Sequence, residues 1–238
     1  MLPTPMHRPQ HTSHRLPERR RTARARCALA LVGLSLLAIG ASAPATHAAP
    51  AQRTRVTVIG DSVTESFDYV PAAKRYLGRG LDLHADAVVC RRLVAASCAF
   101  QGAAPPTALQ VVDTEGPALG PVVVINVGYN DWAAVYDVDR VVRALRSAGV
   151  RHVIWVTLRE AGANASIYAQ SNARIRRADE RWGTTLSVAD WNAFSRGKPW
   201  FREDGLHLSP SGALGLARLL RPLVVAGAAW VFCVEVLS

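Results

Sequence analysis

The sequence predicts an α/β domain with a parallel sheet, and two patterns carry that prediction. Short apolar runs rich in β-branched residues recur along the chain, and amphipathic helical patterns lie between them. Nearly continuous apolar runs are typical of parallel strands, because helices cover both faces of such a sheet. Strands that alternate with helices favour a parallel sheet, since each crossover needs a helix-sized connection.

Five segments have the character of strands and three have the character of helices. The strand segments are Val56 to Ile59 and residues 81–89, 121–128, 152–158 and 184–191. The helical segments are residues 137–149, 165–183 and 209–223, the last with Ser209 as N-cap and Pro210 at the first helical position. Sites on parallel sheets form beyond the carboxyl ends of the strands, so the loops there are expected to hold the functional residues.

The beginning of the chain has the three-part pattern of a secretory signal peptide. A basic stretch precedes the apolar run Cys27–Gly40, and the small-residue segment ASAPATHAAP follows it. The apolar run of 14 residues is short for a membrane-spanning helix, which needs about 20. Cleavage is expected after Ala48, leaving a secreted or extracytoplasmic domain over residues 49–222. An uncleaved anchor is the alternative.

The net charge of +10 is concentrated in residues 1–48, which hold seven arginines and one glutamate. The rest of the chain has 21 basic and 17 acidic residues, without a basic cluster interleaved with aromatics. A nucleic-acid partner is therefore not expected. The folded domain is expected to be a monomer.

The end of the chain, residues 223–238, is an apolar tail with Glu235 near its end. The pattern is compatible with a final helix, an edge strand or a segment buried against a partner. A membrane anchor is a further alternative. The sequence does not choose among these structures.

The cysteines predict one disulfide. Cys90 and Cys98 flank a seven-residue loop, and export would allow them to oxidise, so we expect a bond between them. Reduced, buried thiols are the alternative. No Cys-x-x-Cys or paired-histidine spacing occurs in the expected mature chain from Ala49 onward, so no metal ion is expected.

Ser62 is the first candidate for chemistry. It follows the first strand in the segment IGDSVTES, where a turn leads into an expected helix. The amino end of a helix offers N–H groups to an oxyanion. Taken alone, Ser62 could equally be a helix N-cap.

Asn130 is the second candidate, in the segment NVGYND after the most continuous apolar strand. Gly128 would permit a tight exit from the strand. A side-chain amide donates hydrogen bonds without titrating, which suits a group that stabilises a transient oxyanion. An ordinary asparagine–aspartate turn is the alternative.

Asp204 and His207 are the third candidate, three residues apart in the segment DGLH before the last helix. A serine hydroxyl needs a base to remove its proton, and histidine is the usual base near neutral pH. A carboxylate on the other ring nitrogen would hold the correct tautomer and stabilise the imidazolium. His84 and His152 lie in expected strands and are interpreted as structural or surface residues.

These three signals, in this order, resemble those of the SGNH hydrolases, the GDSL esterase and lipase family. GDSV stands at the position of the family's serine block, GYND at that of its asparagine block and DGLH at that of its histidine block. The resemblance spans Arg55 to about Leu223. It implies a flavodoxin-like three-layer α/β/α sandwich with a mostly parallel five-stranded sheet.

The resemblance also implies the roles of the site residues and the absence of a metal or organic cofactor. Ser62 would be the nucleophile, His207 the base and Asp204 the group that orients it. Asn130 and the backbone N–H of Ser62 would belong to the oxyanion hole.

The chain departs from the family at the block that supplies an oxyanion-hole glycine, where it reads VVCRRLVAASC. The backbone N–H of Cys90 or Arg91, held by the disulfide, is the expected replacement, and Gly102 folding back is the alternative. The Arg91 side chain could meet an anionic substrate or lie in solvent.

The predicted function is an exported serine esterase that forms an acyl-enzyme with short acyl groups, such as O-acetyl groups carried by glycans. The same triad would serve an O-acyltransferase acting on cell-wall polysaccharide. A non-catalytic glycan-binding module is a third hypothesis, with Tyr129, Trp132 or Trp200 as contacts. A surface protein whose apolar tail docks a partner is a fourth.

Overall fold

The computed structural model describes residues 53–237, with side chains as far as Cys233. The expected signal peptide and its cleavage site lie outside the described residues. The strands are β1 (Arg55–Gly60), β2 (Asp82–Ala87), β3 (Val122–Asn126), β4 (His152–Val156) and β5 (Leu186–Ala189). The helices are α1 (Ser66–Tyr69), α2 (Pro71–Gly78), α3 (Ala108–Glu115), α4 (Val138–Ser147), α5 (Ala165–Trp182), α6 (Trp191–Phe194) and α7 (Pro210–Leu237).

The five strands form one parallel sheet in the order β2-β1-β3-β4-β5. This is the flavodoxin-like order, in which the chain steps outward from β1 in one direction and then in the other. All five expected strands are present, and the α/β fold class is confirmed.

Alternate side chains of each strand enter two separate hydrophobic clusters. Val58 and Val124 pack with α1, α2 and α7 on one face. Ile59 and Ile125 pack with α3, α4 and α5 on the other. Both clusters are closed to solvent, which gives the three-layer α/β/α arrangement that the continuous apolar strands predict.

The turn and the helix expected after Ser62 are both present, but the helix is short. Residues 62–65 form turns, α1 has only four residues, and Val70 leaves the helical region with φ −124° and ψ 72° before α2 begins at Pro71. Proline disfavours the helical conformation in the residue before it, which explains the break at Val70. Helices α3 and α6 were not expected from the sequence.

The apolar tail is the continuation of α7, which runs from Pro210 to Leu237 without a break. Of the structures that the sequence left open, the final helix is the one observed. Pro222 lies inside this helix.

Candidate active site

The candidate residues lie where the strand order reverses. Strands β1 and β3 are neighbours in the sheet, and the helices that follow them lie on opposite faces. In open α/β sheets such a switch point opens a crevice at the carboxyl ends of the strands. Ser62 follows β1, Cys90 follows β2 and Asn130 follows β3, so the sheet brings all three loops to this crevice.

His207 lies between Ser62 and Asp204. Its Nε2 is 3.0 Å from the Ser62 Oγ, and its Nδ1 is 2.7 Å from the Asp204 Oδ2. Ser62 and His207 are 145 positions apart along the chain, and Asp204 and His207 are three positions apart. The structure therefore joins a hydroxyl, an imidazole and a carboxylate in the order that general-base activation of a serine requires.

Asp204 is held as a carboxylate by the hydrogen bonds of its own turn. Its Oδ1 accepts from the backbone N–H groups of Leu206 at 2.7 Å and His207 at 2.9 Å, and its Oδ2 faces the imidazole. Partial burial on its own would raise the pKa of Asp204. The hydrogen bonds from the His207 ring and the two N–H groups outweigh burial and lower the pKa to about 2.

Arg159, which the sequence analysis did not single out, supports the turn that carries His207. Its guanidinium lies over the Phe201 ring with 3.7 Å from Cζ to the centroid, and it donates to the Gly205 carbonyl. Its backbone N–H donates to the Tyr129 hydroxyl at 2.8 Å. Arg159 thus links the turn to the end of β4, a contact that no local sequence pattern reveals.

Asp61 is the buried support of the Ser62 turn, and the sequence analysis gave it no role. Its carboxylate is fully buried and accepts hydrogen bonds of 3.1 Å from the backbone N–H groups of Val63, Gly128 and Tyr129. Burial raises the pKa of Asp61 to about 6, although these hydrogen bonds work in the opposite direction. One side chain therefore ties the Ser62 loop to the Asn130 loop.

Some backbone N–H groups at the crevice donate to no atom of residues 53–237, and two of them are candidates for an oxyanion hole. They belong to Ser62 and Cys90, whereas the N–H of Arg91 donates to the Val88 carbonyl at 3.3 Å. An unpaired N–H near a nucleophile can serve a developing oxyanion. Of the two replacements expected for the missing glycine, Cys90 is the one whose N–H is available.

Cys90 has the backbone conformation that glycine usually adopts. Its φ is +68°, in the left-handed region that costs an ordinary residue roughly 1–2 kcal/mol. The predicted disulfide to Cys98 is present and anchors this residue. Gly102, the alternative donor, lies in an exposed turn between Phe100 and Ala103.

The Arg91 side chain is structural, which corrects both expectations for it. It is only 1% exposed, and its guanidinium donates to the carbonyls of Gly60, Asp86 and Pro106 and to the Asp86 carboxylate. With these donors engaged inside the protein, the guanidinium neither meets a substrate nor lies in solvent. It fixes the end of β2 against the end of β1.

The Asn130 side chain points towards the Cys90 turn. Its Nδ2 donates to the Arg91 carbonyl at 3.2 Å, which uses one of its two N–H bonds. The neighbouring Asp131 is buried and accepts from the Leu93 N–H with both carboxylate oxygens at 3.1 Å. These contacts join the loops after β2 and β3, and the second N–H of Asn130 is left for a ligand.

The aromatic residues near the site divide into one exposed ring and two packed ones. Trp132 is 57% exposed and stacks on the Arg92 guanidinium, 4.1 Å from the ring centroid. Tyr129, by contrast, is buried against Tyr168 in an edge-to-face contact. Trp200 stacks on Trp191. The expectation of a substrate contact is therefore wrong for Tyr129, while the Trp132 ring is accessible to a ligand.

The site is open to solvent. The His207 and Asp204 side chains are 36% and 46% exposed, and two shallow surface depressions, beside Arg174 and beside Arg146, lie elsewhere. No group of three histidine, cysteine, aspartate or glutamate side chains that could hold a metal ion occurs in the described part of the chain. A ligand could therefore approach His207 and Asp204 directly from solvent.

Comparisons with known proteins find the same fold in several solved structures. No family model and no curated protein sequence matches the chain. The catalytic domain of peptidoglycan O-acetyltransferase A from Streptococcus pneumoniae is 22% identical, with a TM-score of 0.58 over 75% of this chain and 96% of that one. A carbohydrate acetylesterase family member from Sinorhizobium meliloti is 18% identical, with a TM-score of 0.54 over 74% and 99%. A putative arylesterase from Agrobacterium tumefaciens is 17% identical, with a TM-score of 0.53 over 73% and 99%.

The chain therefore shares the three-layer α/β/α fold of these solved structures. The resemblance drawn from the sequence is confirmed at the level of the fold.

Replacing Asn130 with alanine is expected to lower kcat by about 10²–10³-fold, the usual cost of removing one oxyanion donor. KM is expected to change little, because an oxyanion donor would form its hydrogen bond with the transition state. Steady-state kinetics on an activated ester measures both constants. Asn130→Asp keeps the shape but places an acceptor at the oxyanion, so it should be slower still. Full activity in the aspartate variant would contradict a donor role for Asn130.

Breaking the disulfide is expected to lower both stability and turnover. A crosslink with a sequence separation of 8 contributes about 2–3 kcal/mol by loop closure, and its loss lets Cys90 leave the left-handed region. We expect Cys90→Ser/Cys98→Ser to show a lower Tm and a lower kcat.

Cys90→Gly/Cys98→Ser is the matched variant for that experiment, because glycine adopts a φ of +68° freely. It lacks the same disulfide but should recover much of the lost kcat. Equal kcat values for the two double variants would show that the Cys90 backbone conformation does not matter for catalysis.

Proposed function

We propose that this chain is an exported serine hydrolase that cleaves carboxylic esters through an acyl-enzyme. Ser62 is the nucleophile, His207 the general base and acid, and Asp204 the residue that orients the imidazole. The observation that carries the proposal is the continuous hydrogen-bonded series from the Ser62 Oγ through His207 to Asp204. The esterase neighbours of the same fold support it, and the leader pattern of residues 1–48 supports export.

Acylation begins with attack of the Ser62 Oγ on the ester carbonyl carbon. The hydroxyl proton passes to the His207 Nε2, and the carbonyl oxygen becomes an oxyanion that accepts from the Ser62 N–H, the Cys90 N–H and the Asn130 Nδ2. Asp204, ionised above a pH of about 3 because its pKa is about 2, stabilises the imidazolium. When the intermediate collapses, the Nε2 proton goes to the leaving oxygen, and the alcohol departs.

Deacylation repeats these steps with water. The neutral imidazole of His207 takes a proton from a water molecule as its oxygen attacks the acyl carbon. The second tetrahedral intermediate uses the same donors. Its collapse releases the carboxylic acid and returns the proton to the Ser62 Oγ.

The substrate class that best fits the site is a short acyl group, such as acetyl, carried by a glycan. The open position of His207 and Asp204 accommodates a bulky alcohol portion. Trp132 offers an exposed ring, held by Arg92, on which a sugar face can stack. Arg92 is itself fixed by hydrogen bonds to the carbonyls of Asn130 and Ala96.

An O-acyltransferase is the second candidate. The similar solved structures include the catalytic domain of a peptidoglycan O-acetyltransferase, and an open site admits a sugar hydroxyl as readily as water. The chemistry differs only in the second attacking oxygen, which would belong to the acceptor.

Hydrolysis of p-nitrophenyl esters of increasing acyl length tests the proposal. We expect serine-dependent release of p-nitrophenol that is fastest for acetate and falls as the acyl chain lengthens. Adding a cell-wall oligosaccharide separates the candidates, since a transferase would transfer acetyl to the sugar in competition with water. No turnover of any ester, with or without acceptor, would reject both and favour a non-catalytic glycan-binding module.

A further inference from the structure

The second half of α7 presents an apolar face to solvent, on the side opposite its buried face. Val225 is 42% exposed, Trp230 38% and Phe232 66%, and the small residues Ala226 and Ala229 are exposed between them. The sequence from Pro222 to Val234 contains no charged residue. We call Val225, Ala226, Ala229, Trp230 and Phe232 the α7 apolar face.

The length and composition of α7 would allow it to cross a membrane, but its packing opposes this. Its other face is buried along almost the whole helix, in the cluster that covers one side of the sheet. The buried residues are Ala213, Leu216, Ala217, Leu220, Val224, Ala228 and Val231. Removing α7 from the domain would expose that cluster, so the helix is fitted to lie on a surface while remaining packed.

The α7 apolar face lies at the sheet edge opposite the candidate active site. The Trp230 ring is 6.2 Å from the ring of His152, the first residue of β4, and Gly227 lies against the same ring. In a parallel sheet all strands begin along one edge, formed by their first residues, and end along the opposite edge, formed by their last residues. Ser62 and Asn130 follow strand ends, so they belong to the far edge.

Arginines border this face. Exposed Arg146 and Arg151 line one shallow depression together with Trp230. Arg53 and Arg79, also exposed, precede β1 and β2 at the same sheet edge. Asp82, an acidic residue there, is paired with Arg55 at 3.1 Å. An apolar helix face with a tryptophan and a basic rim has the chemistry that binds anionic lipid headgroups and the acyl layer beneath them.

We infer that the α7 apolar face docks on an anionic lipid surface, with Trp230 and Phe232 inserted among the acyl chains and Arg146 and Arg151 against the headgroups. Because the strands end at the opposite sheet edge, this docking directs Ser62 away from the bilayer. The docking rests on the α7 surface alone and does not depend on the proposed function. Its consequence for an esterase is that substrates are met on the side remote from the membrane.

Vesicle cosedimentation tests the inference on the chain from Ala49 onward, which contains every described strand and helix and both hydrophobic clusters. We expect binding to vesicles of phosphatidylcholine and phosphatidylglycerol in a three-to-one ratio, and much weaker binding to phosphatidylcholine alone. Trp230→Ser/Phe232→Ser should reduce the affinity at least about tenfold. Arg146→Gln/Arg151→Gln should reduce it about twenty-fivefold, or about fivefold for each arginine.

Phe100→Ser is the matched control, because Phe100 is an aromatic residue of similar exposure, 43%, outside α7. It should bind vesicles like the unaltered chain. Phe232→Glu places a charge at the most exposed position of the α7 apolar face and should also weaken binding. It replaces the serine double variant in the test if that variant does not fold. An unchanged Tm identifies the variants that are folded.

Three outcomes would overturn the inference. The first is equal affinity for both kinds of vesicle, and the second is undiminished binding by folded Phe232→Glu. The third is a dimer, seen by light scattering, that Phe232→Glu dissociates, because a second copy of the chain would then cover the face.

Discussion

Ser62→Ala is expected to reduce kcat/KM for an activated ester by at least about 10⁴-fold while leaving the fold intact. The Oγ is the only atom removed, and it is the atom that lies 3.0 Å from the His207 Nε2. Without it no acyl-enzyme can form, and the remaining groups can only polarise the ester towards water. The measurement is hydrolysis of p-nitrophenyl acetate, with Tm as the check on folding. His207→Ala should be nearly as severe, since the hydroxyl then lacks its base.

Ser66→Ala is the matched control for this experiment. Ser66 lies four residues further along the same segment, and its hydroxyl is buried without a hydrogen-bond partner in the described structure. Removing it should leave kcat/KM within about twofold, because no group of the site depends on it. Comparable activity in Ser62→Ala and the unaltered chain would reject Ser62 as the nucleophile. A loss of the same size in Ser66→Ala would show that the assay reports folding instead.

Asp61→Ala is expected to lower the free energy of unfolding by about 3 kcal/mol or more, and kcat with it. Three buried backbone N–H groups, those of Val63, Gly128 and Tyr129, lose their acceptor, and each unpaired donor costs about 1–3 kcal/mol. The Ser62 and Asn130 loops also lose their shared anchor, so the nucleophile and the oxyanion donors separate. Urea unfolding gives the stability, and kinetics on the folded fraction gives kcat.

The pH dependence of stability provides a second test of Asp61. Its pKa is raised in the folded state to about 6, above the unfolded value of about 3.9. Folding therefore favours the protonated form, and the contribution of this group falls as the pH rises from about 4 to about 6. Asp61→Asn does not titrate. The free energy of unfolding of the unaltered chain, measured relative to that of this variant, should therefore fall as the pH rises across that window. A difference that stays constant from pH 4 to pH 7 would contradict the raised pKa.

Asp68→Asn is a suitable control for both Asp61 experiments. Asp68 is exposed and paired with Lys74 at 2.9 Å, and exposed ion pairs contribute little to stability. We expect this variant to unfold within about 0.5 kcal/mol of the unaltered chain. A loss as large as that of Asp61→Ala would indicate a general effect of removing acidic residues.

Sequence periodicity located the strands because a strand that is buried on both sheet faces needs a continuous apolar run. Strands β3 and β4 have such runs and are buried along nearly their whole length. The helix expected after Ser62 is present but has only four residues, because Pro71 disfavours the helical conformation of Val70 and ends α1 there. Helix α3 was missed, although its capping box at Thr107 and Gln110 is a signal that could have located it. The resemblance to the SGNH hydrolases rested on residues with distinctive side chains, which is why three short motifs sufficed to name the fold.

By itself the sequence determined the fold class, the positions of Ser62, Asn130, Asp204 and His207, and the partner of Cys90, because hydrophobic period and side-chain chemistry are local properties. Only the tertiary structure decided which groups support them. Arg91 and Tyr129 are polar or amphipathic residues whose burial depends on contacts with distant segments, and the conformation of Cys90 depends on the turn and the crosslink together. Asp61 and Arg159 act through backbone groups, which leave no pattern in the sequence of side chains.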